Sequence, residues 1–158
     1  MLTVLHALQG QLLAAMQRAF PEAGQPLDPM ALQVGQLVYV RLRLTSLLGS
    51  QPDVALVERL PAGWELENPA LGGATLPSWA ADEPIWATEH RNLRDDRMES
   101  FGTLEPRGAT IVYAARVVTA GGFTWPGALL EAMYDPRVRA RTAPVQVRVA
   151  PATGSGLL

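Results

Sequence analysis

The chain has 158 residues, of which 48% are apolar and 18% charged, and its net charge is −2. This composition is typical of a single globular domain and argues against disorder and against a nucleic-acid partner. There is no cysteine, which excludes disulfides, thiolate metal sites and cysteine nucleophiles.

The first twenty residues carry leucines at helical spacing, and periodicity alone favours an amphipathic helix here. The residues at this spacing are Leu5, Leu8, Leu12, Leu13 and Met16. The segment has no basic n-region, no clean apolar run and no small-residue cleavage site, so no export signal is expected. No apolar stretch in the chain approaches the roughly 18 residues of a membrane span.

Residues 37–45 have the clearest strand pattern, because apolar residues alternate with Tyr39, Arg41, Arg43 and Thr45. This period of two predicts one buried and one wet face. Residues 109–119 are rich in β-branched and aromatic residues and read as a central strand. Shorter strands are expected at residues 53–60, 128–134 and 145–149.

Several short strands separated by proline or glycine favour an all-β antiparallel sandwich over a βαβ architecture. The charged stretch of residues 83–98 allows either one helical turn or a loop leading into a strand. Residues 151–158 are expected to form a flexible tail.

One local cluster has acid/base or metal-binding potential, and it comprises Glu89, His90, Asp95 and Asp96. It lacks the i, i+4 histidine spacing of a helical zinc site, so solvated or salt-bridged side chains are expected instead. The run Arg94, Asp95, Asp96 and Arg97 is expected to form arginine–carboxylate pairs that hold a loop.

Other catalytic patterns are weak. Only His6 and His90 could act as the base of a serine hydrolase, and Ser155 lies in the expected tail rather than in a strand–turn–helix setting. The Gly72-Gly73 and Gly121-Gly122 pairs are too short to cradle phosphate and predict turns. No catalytic residue, cofactor or metal site is predicted.

The four tryptophans allow two interpretations: they fill the core and cap loops, or some of them form a carbohydrate-binding face. They are Trp64, Trp79, Trp86 and Trp125. Met133 and Tyr134 are expected at the end of a strand, where their side chains would point to opposite sides. One could then face a partner while the other packs inward, or both could simply line the strand end before a turn at Asp135-Pro136.

Four sequence blocks in a fixed order resemble the C-terminal macroglobulin-like domain of the bacterial alpha-2-macroglobulin family, whose members are protease traps. The blocks are LPAGWELENP at residues 60–69, RDDR at 94–97, FTWPG at 123–127 and EAMYDP at 131–136. The segments GQPLDP at residues 24–29 and VGQLV at 34–38 add to the resemblance, which covers residues 15–149.

The resemblance implies a fibronectin-like sandwich of about seven strands, with room for one short helix and with a first strand near residues 16–20. It implies a domain at residues 15–150, an unassigned segment or the end of a preceding domain at 1–14, and a tail at 151–158. Trp64, Asn68, Trp125 and the residues from Arg94 to Arg97 belong to its structural blocks.

The family role implied for Met133 and Tyr134 is to shield the reactive bond of a neighbouring thioester domain from water. The implied partners are the other domains of a periplasmic parent and, indirectly, its target proteases, with no nucleic acid and no membrane insertion. A chain without cysteine cannot form the thioester itself, so a non-catalytic domain of a protease inhibitor is expected. The alternative is a stand-alone sandwich that binds a protein or carbohydrate.

Overall fold

The computed structural model describes residues 13–21, 24–47, 49–68 and 75–154, and it describes β1 by its backbone alone. This part of the chain forms twelve strands and one short 3-10 turn at Ser78–Ala80. The strands are β1 (Leu13–Phe20), β2 (Leu32–Gln33), β3 (Leu37–Ser46), β4 (Gln51–Arg59), β5 (Trp64–Leu66), β6 (His90–Leu93), β7 (Arg97–Leu104), β8 (Ala109–Val117), β9 (Gly121–Trp125), β10 (Gly127–Ala132), β11 (Asp135–Arg141) and β12 (Val145–Ala150).

The strands form three sheets. One has the order β1-β3-β8-β5, the second β11-β10-β4-β7-β6, and the third β2-β12-β9. Neighbouring strands are antiparallel, except that β2 runs parallel to β12. The all-β sandwich prediction is confirmed. The strands beyond the expected seven are mostly short and lie at the sheet edges or in the third sheet.

The core lies between the four-stranded and five-stranded sheets, because alternate residues of each strand point inward. From β3 these are Val38, Val40, Leu42 and Leu44, and all four are buried. Val54 and Leu56 of β4 are buried too. Burial of these aliphatic side chains supplies the main stabilising term, at roughly 25 cal/mol for each Å² of apolar surface removed from water.

The outer face of β3 is less wet than the alternation predicts. Tyr39 is only 4% exposed, because the 3-10 turn lays Trp79 across it with ring centroids 6.4 Å apart and planes at 89°. Farther along the strand, Glu83 accepts hydrogen bonds from Arg41 at 3.0 Å and Arg43 at 2.9 Å. A long crossing loop therefore covers half of a face that sequence alternation alone assigns to solvent.

For residues 13–20 the structure decides between the helix and the strand interpretation, in favour of the strand. β1 pairs with β3 over its whole length, from Leu13 opposite Ser46 to Phe20 opposite Tyr39. Pairing with an open sheet edge outweighs the helical spacing of the leucines, because it satisfies the backbone groups of both strands. Residues 1–12 lie outside the described part of the chain.

Residues 83–98 form a loop leading into a strand, and the helical-turn alternative is wrong there. Ile85 makes a bridge to Thr110, and Trp86 donates its indole N–H to the Thr103 carbonyl at 2.8 Å. The loop then enters β6, which pairs with β7. The other strand predictions agree with β4, β8 and β12 to within two residues at each end.

Candidate functional site

Two exposed large apolar side chains lie at the tip of the hairpin that β10 and β11 form. Ala132 pairs with Asp135, so Met133 and Tyr134 are the two residues of the turn. Their side chains are 51% and 83% exposed. The expectation of a strand end with side chains on opposite sides is therefore wrong. Asp135 and Pro136 begin β11 instead of forming a turn.

The tip is tied to the sheet by a hydrogen bond that it donates to the neighbouring strand. The Met133 N–H donates to the Asp53 carbonyl at 2.8 Å. Asp53 has φ +51° and lies where the β4–β7 register shifts between Gln51 and Val54. A left-handed residue inside a strand bends the backbone locally, and here this bend accompanies a carbonyl directed at the tip.

The other side of the tip is held by an ion pair. Arg137 donates from Nε to Asp135 Oδ1 at 2.9 Å and from Nη2 to Oδ2 at 3.0 Å. The hydrogen bonds from the Arg137 side chain, and then from its backbone, lower the pKa of the Asp135 carboxyl. The tip thus presents a thioether and a phenol, and the carboxylate of Asp135, the next residue along the chain, already has a bidentate partner.

Asp53 gives a test of how the tip is held. We expect Asp53→Ala to be about 0.5–1 kcal/mol less stable than Asp53→Gly, because only alanine places a Cβ in the left-handed region. Both variants remove the carboxylate, so the glycine variant is the matched control. Denaturant unfolding of the two proteins measures the difference. Equal stability would show that the backbone at Asp53 stores no strain.

Trp64 and Trp125, which belong to the sequence blocks, pack together in the core. Their ring centroids are 5.1 Å apart with planes tilted by 51°, and the side chains are 3% and 4% exposed. Two separate motifs, one at the start of β5 and one at the end of β9, therefore meet in one aromatic pair. Asn68, from the first of these blocks, is half-buried two residues beyond β5.

A fully buried carboxylate lies beside this pair, and sequence reasoning missed it. Glu58 is 0% exposed and accepts hydrogen bonds from the Tyr113 hydroxyl at 2.7 Å and the Trp125 indole at 3.0 Å. Burial raises the pKa of Tyr113 well above its usual value, and the charge of Glu58 adds to this effect. In the folded chain Glu58 follows Val54 and Leu56 on the inward face of β4, and all three are buried.

The RDDR block forms the loop between β6 and β7, and Arg97 is its centre. Arg97 donates to Asp96 at 3.0 Å and to Glu99 at 2.7 Å. The hydrogen bond to Glu99 raises the pKa of Arg97, and the charge of Asp96 adds to it. The Arg94 N–H donates to the Arg97 carbonyl at 2.8 Å, and the Asp96 carbonyl accepts from Leu60 at 3.0 Å. The loop is thus fixed mainly through Arg97 and the backbone, with exposed Asp95 at its surface.

The acid/base candidates are not brought together. No group of three His, Asp or Glu side chains in the described residues could hold a metal ion. His90 stacks against Phe101 with centroids 6.1 Å apart. His6, Ser155 and the Gly72-Gly73 pair lie outside the described residues, and Gly121 and Gly122 open β9. None of the described helices is long and apolar enough to cross a membrane.

The tryptophans do not form a surface platform. Trp64, Trp86 and Trp125 are at most 5% exposed, and Trp79 is half-buried against Tyr39. These four are all the tryptophans of the chain. The core-filling interpretation therefore accounts for them.

Comparison with known proteins gives consistent matches. A family model described as the bacterial alpha-2-macroglobulin MG10 domain matches residues 16–137. Alpha-2-macroglobulin of Xylella fastidiosa strain Temecula1 is 36% identical over 148 residues, which are 87% of this chain and 9% of the relative. The Escherichia coli K12 protein is 36% identical over 123 residues, or 72% of this chain and 7% of its own.

A solved structure shows the same fold. The crystal structure of native E. coli alpha-2-macroglobulin, from domain MG7 to the C-terminus, superposes with a TM-score of 0.77 at 31% identity. The match covers 90% of this chain and 24% of that one. The chain thus spans about a tenth of the length of its full-length relatives.

Proposed function

We propose that this chain, which belongs to the bacterial alpha-2-macroglobulin family through its MG10 domain, acts as a non-catalytic domain of a protease inhibitor. In this role it packs against the thioester domain and shields the thioester from water. The observation that carries the proposal is the exposed tip of Met133 and Tyr134. We propose that the domain spans residues 15–150, with 1–14 as an unassigned segment or the end of a preceding domain and 151–158 as a flexible tail.

The chemistry of the tip suits a covering role. An internal thioester is lost by hydrolysis, so its surroundings must exclude water with large side chains of low polarity. Methionine is flexible and polarizable and fills irregular gaps. Tyrosine adds area and a hydroxyl that can fix its orientation. In the chain alone both side chains face solvent, which is the arrangement expected if another domain covers them.

The relatives supply a context for this role. The E. coli protein has been solved after activation by trypsin, and the Salmonella protein after reaction with methylamine. A tyrosine-to-glycine mutant of the Salmonella protein has also been solved. By extension we place the parent of this chain in the periplasm, where its other domains would provide the thioester and meet the protease.

Replacing the tip tests the shielding. In the full-length, thioester-bearing protein, we expect Met133→Ala with Tyr134→Ala to speed spontaneous loss of the thioester about tenfold, as for ~1.4 kcal/mol of lost protection. The release of a free thiol over time measures the rate at which the thioester is lost. Leu47→Ala is the matched control, because Leu47 is 62% exposed and lies on a different loop.

Two outcomes would count against the shielding role. Unchanged rates of thiol release and of inactivation by methylamine in the double variant would contradict it. A loss of the folded domain would also contradict it, because the tip would then be needed for stability. Thermal unfolding of the double variant separates these cases, and we expect it to match that of the unmodified protein, since both side chains are exposed.

The alternative is a stand-alone sandwich that binds a protein or a carbohydrate. Stacking of sugars requires exposed aromatic faces, and the buried tryptophans remove the main argument for it. Titration with glycans should leave tryptophan fluorescence unchanged. Quenching that saturates would favour the alternative.

A further inference from the structure

The outer face of the five-stranded sheet has a mixed surface that the tip does not explain. Strand register places one row of residues across the whole sheet: Arg139, Glu131, Ala55, Phe101 and His90. A second row comprises Arg141, Leu129, Val57, Glu99 and Asn92. Leu129, Val57 and Phe101 are half-buried, so the middle of this face is apolar and one side of it is basic.

The basic side consists of Arg139 and Arg141 on β11, which we call the β11 arginines. Both are exposed. Neither forms an ion pair with any residue that the structure describes, whereas Arg137 on the same strand is paired with Asp135. Glu131 is the direct cross-strand neighbour of Arg139, but no pair within 4.0 Å joins them. The β11 arginines thus carry two positive charges in a chain whose net charge is −2.

The β11 arginines and the tip belong to one hairpin. Arg139 lies opposite Glu131, two residues before Met133, and Arg141 lies opposite Leu129. At about 3.4 Å per residue, these positions are about 7 and 14 Å along the strand from the tip. An ordinary interface buries about 800 Å² on each partner, and a patch of that area is wide enough to include both positions together with the tip. A domain that covers the tip would therefore reach the β11 arginines without a second contact site.

We propose that the interface centred on Met133 and Tyr134 extends along β10 and β11, and that the covering domain places carboxylates opposite Arg139 and Arg141. This inference rests on the proposed function and names the chemistry of the partner surface. Charge complementarity is the argument: a guanidinium without an internal partner binds a carboxylate in a bidentate manner. An apolar centre with a polar rim is also the common anatomy of a protein interface, and arginine is enriched in such interfaces.

The composition of the chain allows a clean test. All thirteen cationic side chains are arginines, so Arg139→Lys or Arg141→Lys introduces the only lysine of this segment. In the full-length protein, treatment with a carbodiimide then joins the new amine to any carboxylate in contact with it. Mass spectrometry identifies the linked peptides. Arg148→Lys is the matched control, because Arg148 is exposed on β12 of a different sheet.

We expect Arg139→Lys and Arg141→Lys to give cross-links to Asp or Glu outside this segment, at about ten times the yield of Arg148→Lys, since the reagent requires salt-bridge contact of about 4 Å. As a second measurement, Arg139→Glu with Arg141→Glu should speed hydrogen exchange of the β10 and β11 amides in the full-length protein about tenfold. At high salt the cross-linking yield should fall, and the glutamate substitutions should change hydrogen exchange less.

Cross-links that reach only Glu131, together with unchanged hydrogen exchange in the double glutamate variant, would overturn the inference. That result could coexist with faster thioester loss in the tip variants, in which case the tip alone forms the contact. If neither set of variants has an effect, the proposed function fails as well. The two proposals are therefore separable.

Discussion

We expect Glu58→Ala to lower the free energy of unfolding by about 3 kcal/mol, which is one of the two largest effects expected in the core. Glu58 accepts from Tyr113 and Trp125, and its removal leaves both donors buried without this acceptor. Each hydrogen bond to a charged group contributes about 1.5–3 kcal/mol, and an unsatisfied buried donor carries its own desolvation cost. Denaturant unfolding followed by tryptophan fluorescence measures the change.

Glu58→Gln is the matched control for Glu58→Ala. The amide keeps the shape and one oxygen acceptor, so we expect a loss of about 1 kcal/mol. If Glu58→Ala is as stable as Glu58→Gln, the hydrogen bonds that Glu58 accepts do not stabilise the core. A shift in the tryptophan emission of both variants is expected, because Trp125 loses or changes its partner.

The second large effect is expected at Trp125. We expect Trp125→Ala to cost about 3–5 kcal/mol, because it removes a large buried side chain and leaves a cavity. It also removes the ring contact with Trp64 at 5.1 Å. Thermal or denaturant unfolding gives the value.

A pair of phenylalanine variants separates packing from hydrogen bonding at this site. Trp125→Phe loses the indole donor to Glu58, whereas the Trp64 indole N–H has no acceptor among the residues that the structure describes. We therefore expect Trp125→Phe to be about 1–2 kcal/mol less stable than Trp64→Phe. Equal losses would assign the whole effect to packing.

Local alternation was sufficient to predict the sandwich. In β3 the inward residues are Val38, Val40, Leu42 and Leu44, and all are buried, because a strand with one apolar face must pack that face against a second layer. The same alternation could not predict that Tyr39 is covered. That burial depends on Trp79, which is 40 residues away in the chain and reaches β3 through a loop without a period of its own.

The position of the tip needed tertiary information. Met133 and Tyr134 continue an apolar run and therefore read as strand, and neither has the positive φ of the asparagine–glycine turns that mark hairpins in sequence. The β10–β11 register shifts between Glu131 and Ala132, so that Ala132 pairs with Asp135 and the turn falls on Met133 and Tyr134. The side-chain arrangement inferred from the sequence for this pair was therefore wrong.

Glu58 was missed for a different reason. A glutamate among apolar residues is read as the outward residue of a strand, and its inward phase is visible only once β4 is set in register with its neighbours. Its two donors are 55 and 67 residues away in the chain. Buried polar contacts of this kind are not encoded by local pattern.

The most direct test of a covered tip is nitration of tyrosine in the full-length native protein, before and after cleavage by a protease. The chain has three tyrosines, and Tyr39 and Tyr113 are 4% and 7% exposed, so they serve as internal controls. We expect Tyr134 to be protected in the native protein and to become reactive once the thioester is released. Rapid nitration of Tyr134 in the native state would contradict the account, because no domain would then cover the tip.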